Sequence, residues 1–332
     1  MSIVELSDVH VEFHRRGSPP VRAVAGASIT VDRGQIVGLV GESGCGKSTL
    51  ARAACGLLTP TAGSILFEGE RLVPLTRRAR PLEQARLQMV FQNPFSSLNP
   101  RRRVGSQIGD GLEILAGLSG AALDARVAEL LEQVGLPATA ARRYPHEFSG
   151  GQRQRIAIAR ALAAEPSVIV LDEPLSALDT SAQAQIANLL TSLARELEIG
   201  LLLISHDLAI VRQVAHVVSV MYLGVIVESG PTEEIWMRPR HPYTRALIAS
   251  VPRADGSGVL PGSLPGEVPD PARPPAGCRF HPRCPIVVDR CRSDVPGMVT
   301  VATGHQAACW LAAADTRTVA SSAPPAGSPG QA

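Results

Sequence analysis

A single lysine stands among 332 residues, and every other basic residue is arginine. That lysine, Lys47, lies in the glycine-rich stretch GESGCGKSTL, residues 41–50, which fits the G-x-x-x-x-G-K-S spacing of a phosphate-binding loop. The apolar run IVGLV precedes it and the helix-forming run STLARAACGLL follows, giving the strand, loop, helix order that the motif needs. Gly41, Gly44 and Gly46 let successive backbone N–H groups turn inward around an anion, and the helix adds the positive end of its dipole. Ser43 and Cys45 fill the loop between the glycines, and Thr49 follows in the first helical turn. Lys47 supplies a compact ammonium for β- and γ-phosphates, which the longer, forked guanidinium does not replace, and the Ser48 hydroxyl is a ligand for Mg²⁺. A glycine turn that merely caps a helix would account for the glycines and leave Lys47 unexplained.

The rest of the chain is read around that loop. Apolar runs at GQIVGLVG, SVIVLDEP and GLLLISHD have the continuous character of parallel strands buried on both faces, so residues 1 to about 230 predict an α/β core. Between about residues 94 and 164 the pattern turns helical, as in ARVAELLEQVGL, which predicts a helical subdomain inserted in the core. The segment EEIWMRPRHPYTRALIASVP suits one or two short helices, PGSLPGEVPDPARPPAG reads as a linker, and residues 315–332 carry too little apolar surface to order. Basic and acidic residues nearly balance, 32 against 30, which argues against a general nucleic-acid binder. The N-terminus, MSIVELSDVHVEF, has no signal-peptide pattern, and no window approaches the apolar length of a membrane span, so a cytosolic chain is expected.

Two more stretches carry chemistry. After the strand SVIVL come Asp172, suited to hold Mg²⁺ through its water shell, and Glu173, suited to orient or deprotonate an attacking water. An Asp-Glu pair at a strand end is often only a turn, and the phosphate loop is what gives this one weight. His206 closes the next buried strand at its C-terminal end, the edge where doubly wound sheets place ligands. In YPHEFSGGQRQRIAIARAL, Ser149 and Gln152 have capping-box spacing, while Gly150 and Gly151 bare the first turn of the helix so that an anion can approach its backbone.

With FSGGQ the sequence resembles the ATP-binding-cassette ATPases, whose signature is LSGGQ, and the resemblance runs from residue 3 to about 250. It implies a P-loop NTPase of the cassette type in which Ser149, Gly150, Gly151 and Gln152 of one subunit close over ATP held by another. It further implies that Phe13 stacks on adenine, that Gln92 in VFQNP senses Mg²⁺ and a membrane partner, that Asp179 in SALD crosses the dimer interface, and that His206 contacts the γ-phosphate. GESGCGKSTLARA, FQNPFSSLNPR, MYLG and HPYTRAL with GCRFHPRCP beyond it resemble one branch, the ATPase subunits of bacterial oligopeptide and dipeptide importers, and most closely the second ATPase of the pair. That branch implies a second homologous ATPase, two membrane permease subunits, an extracytoplasmic solute-binding protein and a place on the cytoplasmic face of the membrane. Nickel importers share much of the pattern and are the alternative. A cassette ATPase acting on nucleic acid or ribosomes is a different class. It is disfavoured by the charge balance, by the single cassette, and by the roughly 100 residues without heptads between Ser48 and Ser149.

Residues 251–314 are read as a separate extension carrying Cys278, Cys284, Cys291 and Cys309, spaced C-x5-C-x6-C-x17-C. Four thiolates suit zinc or an iron–sulfur cluster, and the spacing is wider than the close pairs of structural zinc sites. Resemblance to related permease ATPases implies a [4Fe–4S] cluster, with Arg279, Arg283, Arg290 and Arg292 available to offset its charge. Cys45 and Cys55 are read as packing residues, with Cys45 a candidate reactive thiol beside a helix N-terminus.

Overall fold

The structure is a computed structural model that describes residues 2–312 apart from 15, 16, 18, 77–79, 94–96, 177 and 252–265; the tail at 315–332 lies outside the described residues. Its strands are β1 (Ser2–Phe13), β2 (Val21–Asp32), β3 (Ile36–Val40), β4 (Ala62–Phe67), β5 (Glu70–Arg71), β6 (Leu87–Val90), β7 (Val168–Asp172), β8 (Gly200–Ser205), β9 (Val217–Tyr222), β10 (Val225–Pro231), β11 (Val299–Ala302) and β12 (His305–Ala307). An antiparallel sheet in the order β2-β1-β4-β5 packs beside an eight-stranded sheet in the order β11-β12-β10-β9-β3-β8-β7-β6. From β9 to β6 that larger sheet is parallel.

The three apolar runs become β3, β7 and β8, in which every residue is buried. Successive side chains of a strand point to opposite faces. Leu201 and Leu203 of β8 therefore join one core, whereas Leu202 and Ile204 join another against the antiparallel sheet. Burying each such side chain contributes about 1.5–3 kcal/mol, which fixes the register of the central strands.

The helices are α1 (Lys47–Ala54), α2 (Val104–Ala116), α3 (Gly120–Gln133), α4 (Gly150–Leu162), α5 (Thr180–Glu196), α6 (Leu208–Val214), α7 (Thr232–Met237), α8 (Pro242–Ala249) and α9 (Arg290–Ser293). The stretch expected to hold one or two short helices forms α7 and α8. Helices α2, α3 and α4 bury Ile108, Leu112, Leu130, Leu131 and Ile156 in the same core as Leu201 and Leu203.

The cysteine-bearing region differs from its sequence reading, which marked no strand there. The hairpin β11–β12 pairs with β10, Glu228 opposite Ala307 and Ser229 opposite Gln306, and so extends the main sheet. Its anchor is Glu228, fully buried, which accepts hydrogen bonds from Arg240 N, His241 N and His305 Nε2 at 2.6, 2.9 and 2.8 Å.

Candidate active site

The C-terminal ends of β3, β7 and β8 open onto one edge of the main sheet, and the strand-end residues named from the sequence meet there. The loop after β3 is shaped by its glycines. A Cβ on Gly41 would lie 2.1 Å from Met221 O, and one on Gly46 2.1 Å from Ala23 O, so neither position tolerates a side chain. Gly46 also stands at φ 107° as the cap of α1. Gly44, at φ 79°, has open space around it, which is where a ligand can approach the backbone. Lys47 is buried and donates from Nζ to Gly41 O at 2.7 Å and Glu42 O at 3.0 Å, so its ammonium arches back over the loop. Ser43 is exposed beside Gly44, and Thr49 is half-buried in the first turn of α1.

Ser48 Oγ donates to Asp172 Oδ1 at 2.8 Å, joining the helix after β3 to the end of β7. Burial holds the Asp172 carboxyl above the usual carboxylate range, against the lowering effect of the Ser48 hydrogen bond. A desolvated carboxylate beside a hydroxyl is the donor pair that a hard divalent cation relieves, so Ser48 and Asp172 fit Mg²⁺ chemically.

One residue further along, Glu173 is held at φ 47°, a conformation that costs a non-glycine residue about 1–3 kcal/mol and clusters at functional sites. Its N–H donates to Ile204 O of β8 at 3.0 Å. Gln92 Nε2 donates to Glu173 Oε2 at 2.8 Å, and His206 Nδ1 lies 3.3 Å from the same oxygen. The Glu173 side chain is 14% exposed, and this one carboxylate collects the residues that follow β6 and β8. No sequence signal marked the left-handed backbone; Pro174 after it forbids continued helix and hints at a turn.

A second cluster forms at the start of α4. Ser149 Oγ accepts from Gln152 N at 3.3 Å and Gln152 Oε1 accepts from Ser149 N at 3.1 Å, the reciprocal cap that the spacing predicted. Gly150 and Gly151 have a packing reason as well: added Cβ atoms would stand 3.3 Å from Leu178 Cδ2 and 3.2 Å from Ala182 Cβ. Asp179 caps α5, accepting from Ala182 N at 2.9 Å, so the glycines and Asp179 share one surface. Among the described residues no hydrogen bond links Ser149–Gln152 to the phosphate loop. Phe13 stands at the end of β1, 44% exposed, paired with Val21.

The four late cysteines come together. Cys278, Cys284, Cys291 and Cys309 line one narrow cavity closed by Phe280, Pro242 and Trp310. Burial, with the neighbouring thiols adding to it, pushes Cys278 up to about 11 and raises Cys284 and Cys309. Among the described residues, however, no three His, Cys, Asp or Glu side chains are gathered to hold a metal ion.

Three of the four arginines expected to offset a cluster's charge have other partners. Arg283 pairs with Glu42, Arg279 donates to Leu223 O, and Arg290 pairs with Asp294 and covers the Trp310 ring at 3.5 Å. Cys45 also departs from its reading as a reactive thiol: it is buried, and burial raises its pKa despite the Lys47 charge nearby. Cys55, fully buried by packing, is pushed up to about 12.

A Lys-bearing phosphate loop, a strand-end Asp and a polarised Glu on one edge of a parallel sheet define a P-loop nucleoside triphosphatase. Comparison with known proteins refines that class. The ABC transporter family pattern matches residues 24–176, and that of the oligopeptide/dipeptide transporter C-terminal region matches residues 227–291. A Sinorhizobium fredii protein, named for a probable role as the ATP-binding protein of a peptide ABC transporter, is 48% identical over 94% of this chain and 89% of its own length. A Brucella abortus protein named as a peptide import ATP-binding protein is 49% identical over 93% and 94%. Among solved structures, a dimeric ATP-binding cassette in a post-hydrolysis state with ADP and Pi aligns with TM-score 0.61 and 27% identity, over 69% of this chain and 98% of that one. A Clostridium perfringens protein, described as part of the ABC transporter complex cbiONQ, aligns at the same TM-score and identity over 71% and 91%. The chain belongs to the ATP-binding proteins of ABC transporters, and it is an ATPase. Among the described residues no helix is long and apolar enough to cross a membrane.

Proposed function

We propose that this chain binds and hydrolyses ATP to power import of dipeptides or oligopeptides through a membrane permease. The observation that carries the catalytic part is the meeting of Gln92 and His206 on one oxygen of Glu173, next to the Ser48–Asp172 pair. Lys47 and the loop amides bind the phosphates, and Phe13 stacks on the base. Ser48, Asp172 and Gln92 would hold Mg²⁺, which would supply neutralisation of charge developing on the phosphates. Glu173 accepts the proton of the attacking water, while His206 and Gln92 hold its carboxylate in place. No hydrogen bond among the described residues links Ser149–Gln152 to the loop of the same chain, and the reading pairs them and Asp179 with the nucleotide of a second subunit. ATP then favours the closed pair and hydrolysis releases it, a population shift driven by contacts with the γ-phosphate.

The peptide reading is supported by the names of the relatives and by the C-terminal region they share with this chain. In this reading the partners are a second homologous ATPase, two permease subunits on whose cytoplasmic face the chain rests, and an extracytoplasmic solute-binding protein. The reading of a thiolate-held [4Fe–4S] group with a structural role rests on the resemblance and on the four thiols that line one cavity. Anaerobic affinity purification of the full chain from gently solubilised native membranes tests all of this. The reading predicts recovery of the permease, the second ATPase and a peptide-binding protein, with bound iron and visible charge-transfer absorbance. A nickel-binding protein in place of the peptide-binding one, or recovery with ribosomes or nucleic acid, would replace the transport reading; a sample without iron would remove the cluster.

A further inference from the structure

Glu42, the second residue of the phosphate loop, has every polar group engaged. Its N–H donates to Tyr243 Oη at 2.9 Å, and its carbonyl accepts from Lys47 Nζ at 3.0 Å and from Cys45 N at 3.3 Å. Its carboxylate receives both terminal nitrogens of Arg283, at 2.7 and 3.1 Å. Arg283 comes from the cysteine-bearing region, 241 positions along the chain, and its side chain is only 3% exposed. It is braced in turn by Tyr222, whose Oη lies 3.4 Å from Nη1. Phe280 packs against Tyr222 and Tyr243 with ring centroids 5.2 and 5.5 Å away, so the ring that lines the cysteine cavity also supports the hydroxyl that receives the Glu42 N–H. A third tie runs through Arg279, which donates to Leu223 O, while the next residue, Gly224, donates its N–H to Cys45 O at 2.8 Å.

A contact that only docked the C-terminal region could have fallen anywhere on the sheet. Three separate ties instead end on residues 42 and 45 of the loop that must stay shaped around phosphate. A two-pronged guanidinium–carboxylate pair fixes orientation as well as distance, and burial removes the screening that would weaken it. We propose that Arg283 is a positioning residue for nucleotide binding: through Glu42 it holds the first turn of the phosphate loop in the shape that receives ATP. The inference rests on the reading of residues 41–49 as the nucleotide site.

The test uses the full chain with a fluorescent ATP analogue, MANT-ATP, and steady-state ATPase measurements. Arg283→Ala is expected to weaken analogue binding about tenfold, the scale at which contacting residues couple. The loss should fall on KM more than on kcat. Glu42→Gln should weaken binding similarly, and the double variant no more than either single one, because both remove the same tie. Arg283→Lys, which keeps the charge and loses the fork, should recover only part of the affinity. Binding within twofold of the parent in Arg283→Ala and Glu42→Gln would overturn the inference and leave Arg283 a docking residue, even if melting temperature falls. If Arg283→Ala does not fold, Glu42→Gln and Arg283→Lys, which retain volume and part of the hydrogen bonding, decide the matter by the same thresholds. Lys47→Ala separates the two levels: undiminished binding in that variant would remove the nucleotide-site reading, whereas binding lost there and intact in the Arg283 variants would remove this inference alone.

Discussion

The phosphate-loop edge and the cysteine-bearing region are built by opposite strategies. Between Gly41 and Thr49 the chain makes its site from consecutive residues: the loop carbonyls hold Lys47, and the glycines make room for the turn and a ligand. Among its described residues the cysteine region has four short pieces, one turn of 3-10 helix at His281–Arg283, α9 and the two strands of a hairpin, and draws its order from distant partners: Glu228 for His305, Glu42 for Arg283, Leu223 for Arg279. The first region can be recognised in isolation because its chemistry is local. The second is ordered by contacts with the phosphate loop, β10 and the turn before it.

That contrast can be broken most easily at Glu228. Glu228→Ala would leave the Arg240 and His241 backbone N–H groups and the buried His305 ring without their acceptor, at about 1–3 kcal/mol for each buried group left unpaired. Chemical denaturation should show that loss, and hydrogen exchange should show β11 and β12 opening before β3 and β8. Equal loss of protection in both regions would mean that the hairpin is integral to the core and not a dependent edge.

The local site responds in a different currency. On the proposed reading Lys47→Ala removes a charged ligand of the phosphates, so ATP affinity should fall by roughly a hundredfold, about 3 kcal/mol, with little change in melting temperature in the absence of nucleotide. Isothermal titration and thermal melts on one preparation separate the two effects.

A smaller effect follows from pH. His241, the cap of α8, is fully buried, and burial lowers its pKa to about 4 from an ordinary 6.5, with Glu228 opposing the shift. The unfolded chain takes up a proton near 6.5 that the folded chain refuses until about 4. The stability present above pH 6.5 is therefore lost as pH falls from about 6.5 towards 4, by about 3 kcal/mol at most. In His241→Asn, which keeps a capping side chain, the stability curve should be flatter across that window; an unchanged slope would mean that His241 is not the group responsible.

How much of this was legible follows the same division. Strands β3, β7 and β8 could be read because burial on both faces leaves continuous apolar runs, and the Ser149–Gln152 cap because both partners lie within one turn. The hairpin β11–β12 is short, mostly exposed on β11 and pairs with a strand nearly 80 positions earlier, so neither alternation nor length announces it. Arg283 reads in the sequence as one of four arginines that could offset a cluster's charge, whereas its partner lies in the phosphate loop, 241 positions away. The packing of Gly150 and Gly151 on Leu178 and Ala182, and the left-handed backbone of Glu173, depend on elements brought together only in the fold.

The central claim is that Glu173, held by Gln92 and His206, is the base for hydrolysis at a site completed by a second subunit. The direct measurement is ATP turnover and sedimentation of Glu173→Gln with its transport partners, in the presence of Mg²⁺ and ATP. The account predicts turnover reduced by roughly a hundredfold or more, nucleotide affinity retained, and the complex held in a closed, ATP-bound state. Parental turnover, or loss of ATP binding along with turnover, would contradict it.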